Sequence, residues 1–403
     1  MVTYPEDWKE VKLLGCVELV QGLTYKPENV SSFGTLVLRS SNIQDGHLDL
    51  SDNVFVDMDI PQKMMIQEDD ILVCVRNGSA ALIGKSCVLE ALPKTTFGAF
   101  MSVLRGDSTG YIAKIFESDT VQKQVRDRTN ATINQITKKD FESILIPLPA
   151  EKEQKAIANA LSQFDELIAN LNELIEKKRN IREGAIQDIF SKTDNIFTTC
   201  KMASLGTIYS GISGKSKSDF GSGPSFFIPF LNVLNNVVID SDYLERVNIA
   251  GDEKQNNVKA NDLFFNTSSE TPEEVGLCAV LLENINRCYL NSFCFGFRLN
   301  ENAPAIPLWL SYFFNSPAGR KLMSIYAQGS TRYNLSKRRF LDIEIQLPSV
   351  MAQQEIVDAL VAMDFEIAAL EEERDKMIQI RDGAMDDLLT GRVRLDFEGD
   401  CHA

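Results

Sequence analysis

Hydrophobic residues recur at steps of four and three along two long stretches of this chain, and the two stretches are copies of one another. In residues 144–191 the apolar positions are Ile157, Leu161, Phe164, Ile168, Leu171 and Ile175, continuing to Ala185 and Ile189. In residues 343–390 they are Ile356, Leu360, Met363, Ile367, Leu370 and Met377, continuing to Ala384 and Leu388. An offset of 199 superposes the stretches without a gap, and 19 of the 48 aligned positions are identical. Ordinary composition would give roughly three. Such a heptad seam predicts a long helix packed on another helix. Arg182 and Arg381 interrupt it at matching places, and Lys178 and Arg374 also fall within it. Each helix follows a Leu-Pro stop at Pro149 or Pro348, where proline favours extended backbone just before it. At 1.5 Å per residue, roughly 40 residues make a helix about 60 Å long. A small strand-rich domain cannot bury such a seam alone, so the two copies are read as an antiparallel coiled coil. Two independent helices, each packed on its own domain, are the alternative.

Shorter periods surround the helices. In residues 1–143, β-branched and aromatic runs at Thr35–Leu38, Val54–Val56, 71–75 and 87–89 alternate with turns such as Asp45-Gly46 and Asn77-Gly78. A helix is predicted at 108–119. Residues 193–342 repeat this order. Leu14-Gly15 matches Leu205-Gly206, Asp70-Ile-Leu-Val matches Asp262-Leu-Phe-Phe, and a helix near 111–117 matches one near 308–315. Each domain closes on a related run, Ile136-Thr-Lys-Lys-Asp-Phe141 and Leu335-Ser-Lys-Arg-Arg-Phe340. The predicted fold class is α+β: two strand-rich α/β domains at 1–145 and 193–344, separated by long helical segments at 146–192 and 345–403. The whole is an internal pseudo-twofold repeat.

A length of 403 residues fits two or three domains, and 44% hydrophobic with 24% charged residues is a globular composition. No apolar run approaches the roughly 18 residues of a membrane span. The N-terminus has no basic and apolar signal pattern, and the eight cysteines are scattered without paired spacing. A reduced, cytoplasmic protein is therefore expected. The net charge of −16 argues at first against nucleic acid. Its distribution changes that picture, because residues 350–403 alone carry −9. Residues 302–341 hold Arg320, Lys321, Arg332, Lys337, Arg338 and Arg339 without one acid.

Catalytic chemistry has little material. His47 and His402 are the two histidines, too few for a His-based triad or zinc site. The Asn/Asp-Pro-Pro-Tyr/Phe run of amino-methyltransferases is absent. Gly78 to Gly84-Lys85-Ser86 has five residues between its glycines where a phosphate loop needs four, and Gly211-Ile-Ser-Gly214-Lys215-Ser216 has two. Neither catalytic nor metal-binding residues are assigned.

Several motifs in this order and spacing resemble the DNA-specificity subunit of type I restriction–modification systems. They are Tyr4-Pro-Glu-Asp-Trp8 leading to Leu14-Gly15, Arg76-Asn-Gly-Ser79, Ile146-Pro-Leu-Pro149 with Glu153-Gln154, and Asp387-Leu-Leu-Thr-Gly-Arg-Val-Arg-Leu395. The second copy departs slightly, with Gln346 for the first proline and Ala352 in place of Glu153. The resemblance covers essentially the whole chain. It implies a non-catalytic subunit whose two domains each read one half of a bipartite site on double-stranded DNA. The coiled coil then sets the half-site spacing and docks two methyltransferase subunits, with restriction/translocase subunits joining through the complex. S-adenosylmethionine, ATP and magnesium belong on those partners, with no cofactor on this chain and no membrane. Diverged domains imply an asymmetric target.

Base edges are read by Arg, Lys, Asn, Gln and Ser on exposed loops. In the first domain the candidates are Arg39, Ser40, Asn42, Arg76, Asn77, Ser79, Arg105, and the stretch Arg128 to Asn134. In the second they are Asn232, Asn235, Asn266, Ser268, Arg332, Tyr333 and Asn334, with Tyr333 either stacking on a base or packing inward. Lys26, Lys85, Lys138, Lys215, Lys217, Lys337 and Arg338 read as phosphate contacts, which position without specifying. For each, a solvated loop residue is the alternative. The acidic run Glu371-Glu-Glu373 fits a basic protein partner or solvent better than DNA. The competing reading of the whole chain is a coiled-coil scaffold whose β-rich domains bind proteins.

Overall fold

The computed structural model describes residues 4–129, 134–191 and 197–395. The chain forms two compact units, Met1–Asn172 with Glu372–Ala403 and Glu173–Glu371. Each long helix, Glu151–Ser191 and Val350–Thr390, is therefore shared.

In the first unit, an antiparallel sheet runs in the order Glu18–Gln21, Met101–Arg105, Asp70–Cys74, Ser86–Leu89. A second sheet orders Thr95–Phe97, Thr35–Leu38, Val54–Val56 and Val30–Ser31, its first pair parallel. Lys9–Lys12 pairs antiparallel with Leu145–Leu148, so the chain's start is tied to the strand that feeds the long helix. Strand Asp70–Cys74 is buried throughout, which is why its run is continuously apolar after the aspartate rather than alternating. The expected helix forms at Tyr111–Glu117, and a second follows at Asp119–Arg128. The region read as a loop from Arg128 thus begins at a helix end, and residues 130–133 lie outside the described residues.

The second unit repeats the plan. Gly206–Ser210, Cys294–Leu299, Leu263–Asn266 and Cys278–Val280 make the antiparallel sheet. Phe220–Ile228 pairs with Glu245–Val247 and, in parallel, with Cys288–Leu290. Thr198–Lys201 pairs with Glu344–Leu347. Helices Pro307–Asn315 and Pro317–Tyr326 follow. The related runs that close the domains are short capped helices. Thr137 accepts from Asp140 N and Ser336 from Arg339 N, while Ile136, Phe141, Leu335 and Phe340 are buried.

Both seams are buried or half-buried at every predicted apolar position. In the first unit, Ile157 and Leu161 pack with Met385, Leu388 and Leu389 of the other helix against a core containing Tyr111, Phe116 and Phe141. In the second, Val357 and Leu360 join Ile186, Ile189 and Phe190 against Trp309, Phe314 and Phe340. The helices run antiparallel, since Lys178 meets Glu366 at 2.5 Å while Arg182, further along, meets Asp364. Each interruption of the seam has an aspartate of the other helix as its partner. Asp165 and Asp364 are equivalent under the 199-residue offset, as are Arg182 and Arg381. Arg182 is bound to Asp364 in the second unit, and Arg381 lies 2.6 Å from Asp165 in the first. Each aspartate also meets its domain: Lys114 Nζ reaches Asp165 at 2.5 Å, and Tyr312 Oη donates to Asp364 at 2.5 Å. A polar pair within a seam fixes register at some cost in stability.

Candidate nucleic-acid interface

In the first unit, strand Asp70–Cys74 leads into the Arg76-Asn77-Gly78-Ser79 turn. The N–H groups of Val75 and Arg76 both donate to Phe100 O, at 2.9 and 3.1 Å. Asn77 N donates to Asn134 O at 3.2 Å, and Asn134 Nδ2 donates to Gly78 O at 2.9 Å. Asn77 Nδ2 donates to Ser40 Oγ at 3.0 Å, while its Oδ1 accepts from Ser79 N at 3.1 Å. Asn134 has φ 47°, a left-handed conformation that asparagine tolerates better than most residues. Ser40, Arg76, Asn77, Ser79 and Asn134 are thereby brought to one face. Arg76 is exposed, its guanidinium 5.1 Å from the Phe100 ring centre.

The equivalent face of the second unit is built from different side chains. Thr267 donates to Phe293 O through N at 3.0 Å and Oγ1 at 2.8 Å. Ser268 and Ser269 pair with Asn334 and Tyr333 in a short antiparallel ladder, and Leu335 N donates to Thr267 O at 2.9 Å. Ser268, Arg332, Tyr333 and Asn334 thus converge, with Arg332 and Asn334 exposed. Tyr333 packs on the unit's core. Lys138 and Lys337 are exposed at the same place in their capped helices, with Arg338 beside Lys337. Lys138 lines a cleft of about 230 Å³ with Gln21, Ala99 and Gln135. Lys337 Nζ donates to Ser210 Oγ at 2.5 Å.

Other candidates turn inward. Asn42, Asn232 and Asn266 are fully buried. Asn42 donates to Asp49 O and Asp52 O, and Asn232 to Asp240 O and Tyr243 O, so each staples its own loop rather than presenting an amide to solvent. Asn266 donates to Glu274 O and accepts from Leu277 N. Arg105 grips buried Asp70 with both prongs, at 2.8 and 2.7 Å, and donates to Lys63 O and Met65 O. Arg128 is spent on Ser143 and Gln124 O. Arg39 pairs with Asp52 at 2.7 Å. Lys215 pairs with Glu253 at 2.5 Å, its side chain only 8% exposed. Arg320, part of the acid-free basic stretch, donates to the carbonyls of Glu273, Val275, Gly276 and Phe314. Burial pushes its pKa down to about 10. A basic residue far from any acid in sequence can still be held by backbone carbonyls, which sequence spacing does not reveal. Lys26 pairs with Glu28 on the surface and Lys85 reaches Gln44 at 3.5 Å; Asn235 ends the helix Phe230–Asn235 and Lys217 opens the short 3-10 turn Lys217–Asp219, both exposed.

Two groups escaped the sequence reading. Asp262 repeats the Asp70 site: Arg298 donates to both its oxygens at 2.7 and 2.6 Å, and Tyr209 Oη donates at 2.6 Å. The matched Asp70 and Asp262 were visible, but their arginines lie 35 and 36 residues away. Glu153 is buried, accepting from Trp8 Nε1 at 3.1 Å and pairing with Arg394, which also reaches Asp7 at 3.0 Å. Three of the motifs quoted above thereby meet at one carboxylate. The seven described cysteines are free thiols, and burial pushes Cys87, Cys288 and Cys294 up to about 12. Among the described residues, no helix is long and apolar enough to cross a membrane.

Two duplicated strand-rich domains, each with a polar face and each sharing a pair of long helices, define a class that comparison with known proteins also finds. The type I restriction modification DNA specificity domain matches residues 5–177 and 224–379, and the chain belongs to that family. It is 26% identical over 382 residues to the type I restriction enzyme EcoKI specificity subunit of Escherichia coli K12, covering 88% of this chain and 81% of that protein. It is 24% identical over 416 residues to the putative type I restriction enzyme MjaX specificity subunit of Methanocaldococcus jannaschii, covering 97% and 95%. Among solved structures, the fold is shared with a type I restriction–modification S subunit from M. genitalium. There the TM-score is 0.56 at 16% identity, over 94% of this chain and 96% of that one. It is shared also with a chain from a study of assembly and conformational transition of the type I R-M system, with TM-score 0.62 at 14% identity over 97% and 100%.

Proposed function

We propose that this chain is the non-catalytic DNA sequence-recognition subunit of a type I restriction–modification complex. The observation that carries this reading is the pair of equivalent polar faces in duplicated domains, which present different side chains. Arg76 and Asn77 stand in one where Ser268 and Ser269 stand in the other. An arginine fork such as that of exposed Arg76 matches guanine O6 and N7, whereas serine is permissive. Two faces so different read different half-sites, and the target is asymmetric. Lys138, Lys337 and Arg338 supply phosphate contacts that hold each face in register. The paired long helices set the half-site spacing and dock two methyltransferase subunits, and restriction/translocase subunits join through that complex. S-adenosylmethionine, ATP and magnesium are the partners' cofactors, and the complex works in the cytoplasm.

Mapping adenine methylation across the genome of cells expressing this chain with its methyltransferase tests the reading. The expected result is one bipartite motif with two unlike halves at a fixed spacing. Inserting four residues after Ile175 should alter that spacing and leave both halves unchanged. Methylation without a motif, or altered half-site sequences after the insertion, would overturn the reading. So would a complex that retains its methyltransferase but shows no preference among DNA sequences.

A further inference from the structure

Residues 95–105 and 288–298 are equivalent pieces of the two units. Each begins in a strand paired in parallel with its neighbour, turns, and enters the unit's antiparallel sheet at Met101 or Cys294. Aligned at an offset of 193, the eleven positions share two residues, Phe100 with Phe293 and Arg105 with Arg298. The shared arginine has a structural cause in the buried aspartate that it grips. The shared phenylalanine has no such cause. Phe100 is 55% exposed and Phe293 is 61% exposed. The carbonyls that tie these residues to the neighbouring strand end could belong to any amino acid.

A scattered exposed hydrophobic residue needs no explanation. The same ring at the same place in two diverged copies is different, because the polar side chains of the face beside it have changed. Arg76 is answered by Ser268, Asn77 by Ser269, and Ser40 by Phe230 at the head of the matching loop. Arg76 stands over one ring, and Phe230 meets the other edge-on at 6.3 Å. Residues that read unlike half-sites must differ between the domains. A residue that stays the same acts on something both half-sites share.

We propose that Phe100 and Phe293 are DNA wedges, each ring pressing against a base step of the half-site its domain reads, whatever the bases are. This rests on the DNA-recognition reading above. The chemistry is suited to a shared role, since every base offers a π-face and aromatic stacking is tolerant of sequence. Apolar wedges between base steps also unstack and kink a duplex, which lets more protein surface meet the groove.

The test uses the full chain in complex with its methyltransferase, on duplexes carrying the mapped methylation motif, with Phe100→Ala, Phe293→Ala and the aromatic control Phe100→Trp. Stacking of this kind is worth enough that each alanine variant should weaken binding roughly 5- to 150-fold. The loss should be equal on cognate and single-mismatch duplexes, and Phe100→Trp should recover most of it. A 2-aminopurine placed through one half-site should lose its binding-induced fluorescence in Phe100→Ala and keep it in Phe293→Ala, with the opposite pattern in the other half. Both rings are exposed, so melting temperatures should not move. Unchanged affinity, relaxed preference at a single base pair, or loss of the methyltransferase on gel filtration would each overturn the proposal. The unsubstituted complex is the separate arm: if it fails to prefer its motif over random duplex, the DNA-recognition reading itself falls.

Discussion

Replacing Arg105 by alanine should unfold the first unit far more readily and leave its DNA preference alone. Asp70 is fully buried and the Arg105 side chain is only 16% exposed. Four hydrogen bonds leave the guanidinium, two to the carboxylate and two to the carbonyls of Lys63 and Met65. Without it, the buried carboxylate keeps, among the described residues, the Gln67 N–H at 2.8 Å. Breaking a buried pair by removing one partner costs about 3–5 kcal/mol, chiefly because the remaining charge is stranded. For a unit of this size, roughly 2–4 °C per kcal/mol gives a fall of roughly 6–20 °C in melting temperature. Calorimetry on the full chain is the assay, since two compact units can give separate transitions and only one should move. Arg105→Lys keeps the charge but loses the fork, and should fall between wild type and alanine. Replacing both Asp70 and Arg105 by leucine and methionine should recover much of the loss. A melting temperature within about 2 °C of wild type, together with relaxed preference at one base pair, would refute the reasoning and return Arg105 to the DNA face.

Glu153→Ala installs the residue that the second copy carries at this position. It should destabilise the first unit by about 2–4 kcal/mol in denaturant melts, because Arg394 and Trp8 Nε1 lose a buried acceptor. Burial raises the pKa of Glu117, which faces Lys114, Arg381 and Asp165, above its ordinary 4.5. The folded state therefore holds that proton more tightly than the unfolded chain. The resulting stabilisation is complete below pH 4.5 and is lost as pH rises through the folded pKa. Relative to Glu117→Gln, the wild-type chain should thus lose stability as pH climbs from 4.5 towards neutrality, and a parallel pair of pH–stability curves would exclude this. Lys138→Ala and Lys337→Ala should weaken binding on all sequences alike, each lowering the slope of log affinity against log salt by roughly 1. A sequence-dependent loss would show them to be base contacts.

The long helices were legible because their pattern is local and was written twice. Steps of four and three over 41 residues leave little choice but an amphipathic helix. The tandem order of the domains was legible for the same reason. The roles of single polar residues were not. Arg76 and Arg105 look alike in sequence, both following a buried strand or lying within one, yet one is exposed over Phe100 and the other is clamped on Asp70. Asn77 faces the turn while Asn42 is sealed inside its loop. In sequence Phe100 is one apolar residue beside a strand, and only the fold leaves it exposed.

What the chain alone determined is everything that repeats with a fixed period or a fixed offset: helices, strands, duplication, and the class of protein they make. Only the tertiary structure decided which charges are partners. Whether an arginine is free for DNA depends on whether a carboxylate or carbonyl folds back to within 3 Å of it. Those partners come from strands and loops tens of residues away. Arg182 and Arg381 carry this point furthest. In sequence they are flaws in a hydrophobic seam, and in the folded chain each finds the aspartate of the other helix, placed there by the same duplication.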